Sequence, residues 1–502
     1  MTRMIDPPAD VSETPIPRVK GTADWLPDDF ADLAALQALM LERFGRAGYD
    51  RLRTPTLEYV TLHERKSGAG IVGKLFELDG DAAGRVCLRP ELTAGIVRAY
   101  ADRRGDGPLP WRVSHAGTAF RRESSGRADR LREFRQVGVE RLGDAGPVAD
   151  AEVIWLAAWS LAEAGVQGAT IRLGHVGLIL EVLSRSGLPP AARTALVEML
   201  SEAAAEGHDV GSLERGLDHF TAWLDRAGQG EEPPLAIDAA DDGGVDRLFR
   251  TLVPVVTGRR SGHEIIHRLR RKWELGKGLG SVLDRVRDQI RGLSALKGPA
   301  VEVVDRLARD HASEAPRSVA ALRALVQSLG DHGIDPGRIE LDLGFGRGIG
   351  FYSRMIFEIT APTPGGPVEV CGGGRYDGLA RVLGGSQDDR GVGFAFGLER
   401  LHAVVRAQGR SIARPSRESL RIVAGTPEAN PAAIRLATRL RSSGVRVILD
   451  ADAADRLRVE VAAGEPGQGS LTLHDPEAGT AVPVGPEDLI RLFATTAGES
   501  KP

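Results

Sequence analysis

A chain of 502 residues, 42% hydrophobic and 27% charged, has the balance of a globular protein and the length of about three domains. Its net charge of −4 (pI about 6.3) excludes a global basic field, so contact with a polyanion has to come from local patches. Two cysteines, Cys87 and Cys371, are too few for a disulfide framework or a four-thiolate zinc site. No run approaches the ~18 apolar residues of a membrane span, and no charged-then-apolar leader is present, so the expected location is the cytoplasm.

Residues 1–17, proline-rich, read as a flexible tail, and Val19 to Pro27 as a turn-rich entry. Leu33, Leu36, Leu39, Met40 and Phe44 form one apolar stripe and predict a helix over about 28–47, stopped by Gly48. Tyr49 to Glu58 reads as a strand interrupted by Pro55, which places the proline at a sheet edge or an interface. A long helix followed by such a strand suits a dimer surface, and equally a strand that merely ends at Pro55. Lys66 to Glu77 is a glycine-broken loop leading into a strand, and Arg85 to Ala94 passes from strand to helix at Pro90. Glu91 falls in the first helical turn, where a carboxylate favours the dipole or could meet a substrate amine.

Trp111 to Gly117 and Phe134 to Glu140 predict two antiparallel strands. The loop between them holds Arg121, Arg122, Arg127, Arg130 and Arg132. Like charges at this density do not share an apolar core, and their forked donors suit a triphosphate or nucleic-acid backbone; a solvated hairpin tip is the plainer alternative. Helices are expected over 92–104 and 149–165. Ile171 to Leu188 runs from a strand through Gly174-His175-Val176-Gly177 into a helix, with His175 read as structural.

Residues 189–335 are alanine- and leucine-rich without sheet alternation and predict an inserted helical subdomain. Its basic run from Arg259 to Lys272 is either a solvated helix face or a phosphate contact. Strand texture returns at 336–409. Glycines flank Arg347, three glycines end a strand at Gly372 to Gly374, and Gly391 to Leu401 passes from strand to helix with Glu399 and Arg400 at its start. An arginine on a first helical turn opposes the dipole and asks for an anionic partner. After a linker (410–419), a small α/β unit covers 420–497, with strands at 420–424, 445–449 and 470–474 and helices over 428–443 and 486–493.

Together these stretches resemble a class II aminoacyl-tRNA synthetase of the histidyl type. The arginine hairpin resembles the second class motif, Gly391 to Leu401 the third, and the helix with its proline strand the first. Arg347 to Glu358 and Cys371 to Leu379 resemble the two histidine signatures. The resemblance implies an α+β fold, an antiparallel sheet with flanking helices, split by the insertion into 18–188 and 336–409, with the C-terminal unit as an anticodon-binding-like domain. It implies ATP with Mg2+, histidine and tRNA as ligands, and a homodimer. Arg121, Arg347 and Arg400 would be catalytic. Arg121, Glu123, Arg130, Arg132 and Arg400 would face ATP. Glu91, Gln136, Glu140, Arg347, Tyr352 and Tyr376 would form the histidine pocket.

The sequence also departs from that pattern. Ile349-Gly350-Phe351-Tyr352 stands where the family has Leu-Asp-Tyr-Tyr, and Ser124-Ser125-Gly126 where it has Arg-Pro-Gln. A C-terminal helix is cut to Ala453 to Arg456. Gly174 to Gly177 resembles instead the synthetase-like regulatory subunit of ATP phosphoribosyltransferase. Two functions are therefore expected to compete: a histidine–tRNA ligase, and a non-catalytic regulatory paralogue that partners a phosphoribosyltransferase.

Overall fold

The computed structural model describes residues 16–67, 73–103, 107–122, 131–144, 146–188, 279–345, 352–385, 390–410, 419–449, 457–462, 470–475 and 478–493. The chain divides into two compact units, Met1–Ile412 and Ala413–Pro502. In chain order the first contains α1 (Pro27–Arg46), β1 (Asp50–Leu52), β2 (Leu57–Tyr59), α2 (Val60–Ser67), β3 (Phe76–Asp81), β4 (Gly84–Leu88), α3 (Thr93–Asp102), β5 (Trp111–Phe120), β6 (Glu133–Leu142), α4 (Pro147–Glu163), β7 (Thr170–His175) and α5 (Val176–Arg185). It continues with α6 (Leu279–Ser294), β8 (Lys297–Pro299), α7 (Ala300–Asp310), α8 (Pro316–Asp331), β9 (Ile339–Asp342), β10 (Met355–Ala361), β11 (Val368–Arg375), α9 (Leu379–Val382), β12 (Gly391–Gly397) and α10 (Leu398–Ala407).

Nine strands form one sheet in the order β1-β5-β6-β12-β11-β10-β7-β9-β8, and β2-β4-β3 form a small second sheet. The pairs from β5 through β7 are antiparallel; β1 with β5 and β7 with β9 are parallel. The hairpin expected around the arginine stretch is β5–β6, in continuous register from Trp111↔Leu142 to Phe120↔Glu133.

Side chains alternate across a strand, so this register sorts the sheet into two faces. Val137, Val139, Phe394, Phe396, Phe357, Ile359 and Leu173 share one face and are buried. The α1 stripe (Leu33, Leu36, Met40, Phe44) packs in the same core, with residues of α4, α7, α8 and α10. Phe394 meets Phe44 and Phe396 edge-on, at ring centroid distances of 5.6 and 5.3 Å. Burying each such ring contributes roughly 2–3 kcal/mol. The other face carries Gly138, Glu140, Gly393, Ala395, Gly374 and Gly174. One end of it is covered by an apolar cluster that includes Leu92, Ile96 and Val97 from the α3 region, and Leu379 and Ala380 from α9.

Several sequence readings change. The proline-interrupted strand is two strands in two different sheets, β1 and β2, with Pro55 in the connection; its carbonyl accepts from buried Arg89. Within 189–335, residues 189–278, including the basic run, lie outside the described residues. The remainder is not purely helical: β8 pairs with β9 in the nine-stranded sheet, and α7 and α8 enter the main core. The three glycines fall at the end of β11, as expected, with Arg375 closing the strand; a Cβ at Gly374 would meet the Tyr352 ring at 2.8 Å and one at Gly373 the Phe357 ring at 2.8 Å.

The second unit is a five-stranded sheet, order β14-β13-β15-β16-β17, from β13 (Leu420–Ala424), β14 (Val447–Leu449), β15 (Arg458–Val461), β16 (Leu471–Asp475) and β17 (Thr480–Pro483). Helices α11 (Asn430–Ser442) and α12 (Pro486–Phe493) accompany it, and Leu436, Ala437, Leu440 and Leu489 share a core with the sheet. Strands β15 and β17 were not expected, and the shortened helix at 453–456 lies outside the described residues.

Candidate active site

The glycine face is where the predicted polar residues assemble. Glu140 projects from β6 opposite Val113 of β5 and Gly393 of β12. Only glycine fits at 393, since a methyl there would overlap the Glu140 carboxylate. The Tyr376 hydroxyl donates to one Glu140 oxygen and the Thr93 hydroxyl to the other at 2.6 Å. Burial pushes the Glu140 carboxyl up to about 7, against those two hydrogen bonds. Burial and the Glu140 charge together raise the Tyr376 phenol well above its usual range. Tyr352 leans on the same patch, with its ring over Gly374.

Glu91 sits at the junction of β4 and α3, where Pro90 breaks the strand. It accepts the Ala94 N–H at 3.1 Å, as expected for a carboxylate at a helix start, and also holds the Lys66 ammonium at 2.9 Å. Burial alone would raise its pKa; Lys66 and the neighbouring His63 bring it down to about 2. Glu91 is therefore an anion at neutral pH, while Glu140 stands near half-protonation.

Two residues absent from the sequence reading complete the floor. His115 of β5 is 2% exposed, and both its ring nitrogens are buried without a hydrogen-bond partner among the described residues. Its Nε2 is 3.9 Å from Glu140 Oε1, too long for a hydrogen bond. His63 Nε2 is likewise buried and unpartnered. Burial lowers both imidazoles to about 4, so both are neutral at neutral pH. Buried unsatisfied polar atoms cost about 1–3 kcal/mol each and call for a ligand or water. Strand alternation placed His115 on a face, but only the β5–β6 register sets it beside Glu140.

Two predicted phosphate-facing arginines lie over the same glycine face, at the other end of the strands. Arg121 follows β5; its Nε donates to the Pro90 carbonyl at 3.0 Å, and its guanidinium stacks on Phe134 at 5.2 Å. Arg400, on the first turn of α10, lies over Gly397, with Nε 3.4 Å from where a Cβ would stand. The anionic partner its position asks for is Glu369: one guanidinium nitrogen is 3.7 Å from the carboxylate and donates to the Glu369 carbonyl at 3.3 Å. Both β5, which Arg121 follows, and β12, whose last residue Gly397 lies under Arg400, neighbour β6, so these two strands run roughly 10 Å apart. Gln136 lies between them, paired with Gly117 and Gly397. Glu399 accepts the Arg135 N–H with both carboxylate oxygens at 3.0 Å, pinning α10 to β6.

Arg132 sits differently: its N–H donates to the Gly21 carbonyl at 2.8 Å, and its side chain packs on Gly21. Glu123, Arg130 and Arg347 lie outside the described residues. Among the described residues no cluster of three His, Cys, Asp or Glu side chains is placed to hold a metal ion. Mg2+ carried on a nucleotide needs only one or two carboxylates, and Glu369 and Glu399 flank Arg400.

A buried polar cluster toward one end of an antiparallel sheet, with guanidiniums toward the other end, fits a class II synthetase-type fold. The histidyl-tRNA synthetase family model matches residues 21–225 and 245–401, and the chain belongs to that family. It is 32% identical to the ATP phosphoribosyltransferase regulatory subunit of Moorella thermoacetica, covering 91% of this chain and 97% of that one. It is 28% identical to the histidine–tRNA ligase of Pyrococcus furiosus, covering 95% and 98%. The crystal structure of histidyl-tRNA synthetase from Nostoc sp. PCC 7120 superposes with a TM-score of 0.63 at 17% identity, over 96% of this chain and all of that one, which speaks to the fold. No described helix is long and apolar enough to cross a membrane.

Proposed function

We propose that the chain is a histidine–tRNA ligase that binds histidine over Glu91 and Glu140 and ATP over Arg121 and Arg400. The observation that carries this reading is the shared glycine face: the carboxylates of Glu91 and Glu140 gather toward one end of it and the guanidiniums of Arg121 and Arg400 toward the other. Glu91 would take the α-ammonium in exchange for part of its contact with Lys66. Glu140, held by Thr93 and Tyr376, would accept an imidazole N–H, with Gln136 and Tyr352 shaping the walls. A ligand lacking that N–H forgoes a charge-assisted hydrogen bond to the buried carboxylate, which is a basis for rejection.

In the reaction a histidine carboxylate oxygen bonds to the α-phosphorus of ATP and pyrophosphate leaves with the electron pair of the broken P–O bond. Charge gathers on phosphate oxygens, which Arg121 and Arg400 would stabilise from opposite sides. Arg347, Glu123, Arg130 and Arg132 take the roles the family resemblance implies. Mg2+ would accompany the triphosphate near Glu369 and Glu399 and neutralise its charge. The adenylate would then pass histidine to tRNA, with the second unit contacting the anticodon. Exposed Leu26, Phe30 and Leu57 around α1 and β2 support self-association as a homodimer, and the protein is expected in the cytoplasm.

A second reading has its own support. Ile349-Gly350-Phe351 removes a hydroxyl and a carboxylate from beside Tyr352, and the Moorella relative matches over 91% of this chain. In that reading the same pocket senses histidine for an ATP phosphoribosyltransferase. Purified protein with histidine, ATP and Mg2+ is expected to exchange labelled pyrophosphate into ATP, and Arg347→Ala to abolish the exchange. Histidine binding without exchange, together with co-purification of a phosphoribosyltransferase, would establish the regulatory role instead.

A further inference from the structure

Gly174-His175-Val176-Gly177 takes no part in the pocket above, yet a cavity of about 320 Å³ opens at this junction of β7 and α5. Its walls are α5, the first turn of α8 and the Ser353–Arg354 entry to β10; none of Glu91, Gln136, Glu140 or Tyr376 lines it. His175 is 6% exposed and caps α5, its Nδ1 accepting the Leu178 N–H at 3.1 Å. Burial, with Arg354 nearby, lowers this imidazole to about 4, so it is neutral and its one ring proton sits on Nε2. That N–H has no protein partner among the described residues, and the ring lines the cavity.

The acceptors around the cavity are already engaged. Glu181 receives the Ser318 N–H at 2.8 Å, the Arg317 N–H at 3.3 Å and Arg317 Nε at 3.2 Å. The Ser353 hydroxyl bridges the Arg375 carbonyl and the Asp377 N–H. The donors are not used up. Arg317 is anchored through Nε with its side chain 85% exposed; Arg354 approaches Asp377 through Nε at 3.6 Å with its side chain 45% exposed. Each keeps terminal N–H groups available. Gly177 keeps the space open, since a Cβ there would stand 2.8 Å from His175 Cε1.

A chamber lined by two guanidiniums that reach solvent and by one N–H donor fixed through the helix cap selects an acceptor ligand of negative charge. We propose that this cavity is a second ligand site, taking the phosphate or carboxylate group of a small metabolite between Arg317 and Arg354, with His175 Nε2–H as the orienting donor.

The test uses the full chain with 15N-labelled histidine, the His175 resonance being assigned by its loss in His175→Gln. Inorganic phosphate and, separately, acetate are titrated at constant ionic strength. A saturable His175 shift is expected with at least one of them, and the one that saturates identifies the ligand group. Arg317→Gln and Arg354→Gln, which alter exposed side chains, are expected to weaken that binding about tenfold or more each while thermal unfolding stays unchanged. No saturable shift with either anion, or equal shifts in the wild type and the double variant (an adventitious ion only), overturns the proposal.

Discussion

The two faces of the nine-stranded sheet share one backbone and have opposite physics. On one, Val137, Val139, Phe394 and Phe396 pack into the core with α1 and α10. On the other, glycines alternate with Glu140 and His115, and both ring nitrogens of His115 are buried without a hydrogen-bond partner among the described residues. The first face is closed by apolar packing; the second carries the carboxylate, imidazole and hydroxyl groups. Stability is concentrated on one side of the strands and recognition on the other, with adjacent residues such as Gly393 and Phe394 serving different ends.

This contrast can be broken by substitution. Phe394→Ala is expected to cost about 3–5 kcal/mol in chemical denaturation, since it opens a cavity among three aromatic neighbours. A loss below 1 kcal/mol would deny that this face holds the fold. Arg121→Ala, on the glycine face, should reduce pyrophosphate exchange about 10²–10³-fold, with stability little altered. An unchanged exchange rate removes that guanidinium from the chemistry. Glu140→Ala should weaken histidine binding about 30- to 100-fold by calorimetry in either functional reading, because it deletes a charge-assisted acceptor. Equal affinity would move the amino-acid site elsewhere.

The pH dependence sharpens the same point. Burial raises Glu140 to about 7, so the folded chain keeps a proton that the unfolded chain releases near the ordinary carboxylate value. Its contribution to stability is full below about 4.5 and lost as pH rises through 7. Relative to Glu140→Gln, the wild type should lose about 2–3 kcal/mol between pH 4.5 and 8. Parallel profiles would show that the carboxyl is already ionised in the folded state. The smallest effect belongs to the surface: Arg406→Ala breaks an exposed ion pair with Asp29 and should change stability by less than about 1 kcal/mol.

Much of the site could be read from the chain alone. Glu91 after a strand-ending proline, a loop dense in arginine, and Glu399-Arg400 at a strand-to-helix junction each carry local signals, because capping, charge density and turn chemistry are set by neighbouring residues. His115, His63 and Thr93 carried no such signal. Their importance depends on which strand or helix lies opposite, and Lys66 becomes the partner of Glu91 only through the packing of α2 against the end of β4. That the segment around Pro55 becomes two strands in different sheets has a related reason: pairing partners, rather than the local run, decide whether a segment is one strand or two.

By itself, then, the sequence determined the alternation of each strand, the stripe of α1, the breaks at proline and the order of the motifs, all properties whose interaction range is a few residues. Tertiary structure alone decided the register that sets Glu140 between Thr93 and Tyr376. It also decided that Arg121 and Arg400 share a face and that a cavity opens behind His175. Those arrangements join residues tens to hundreds of positions apart, and burial, which shifts their charge states, exists only once the layers have closed.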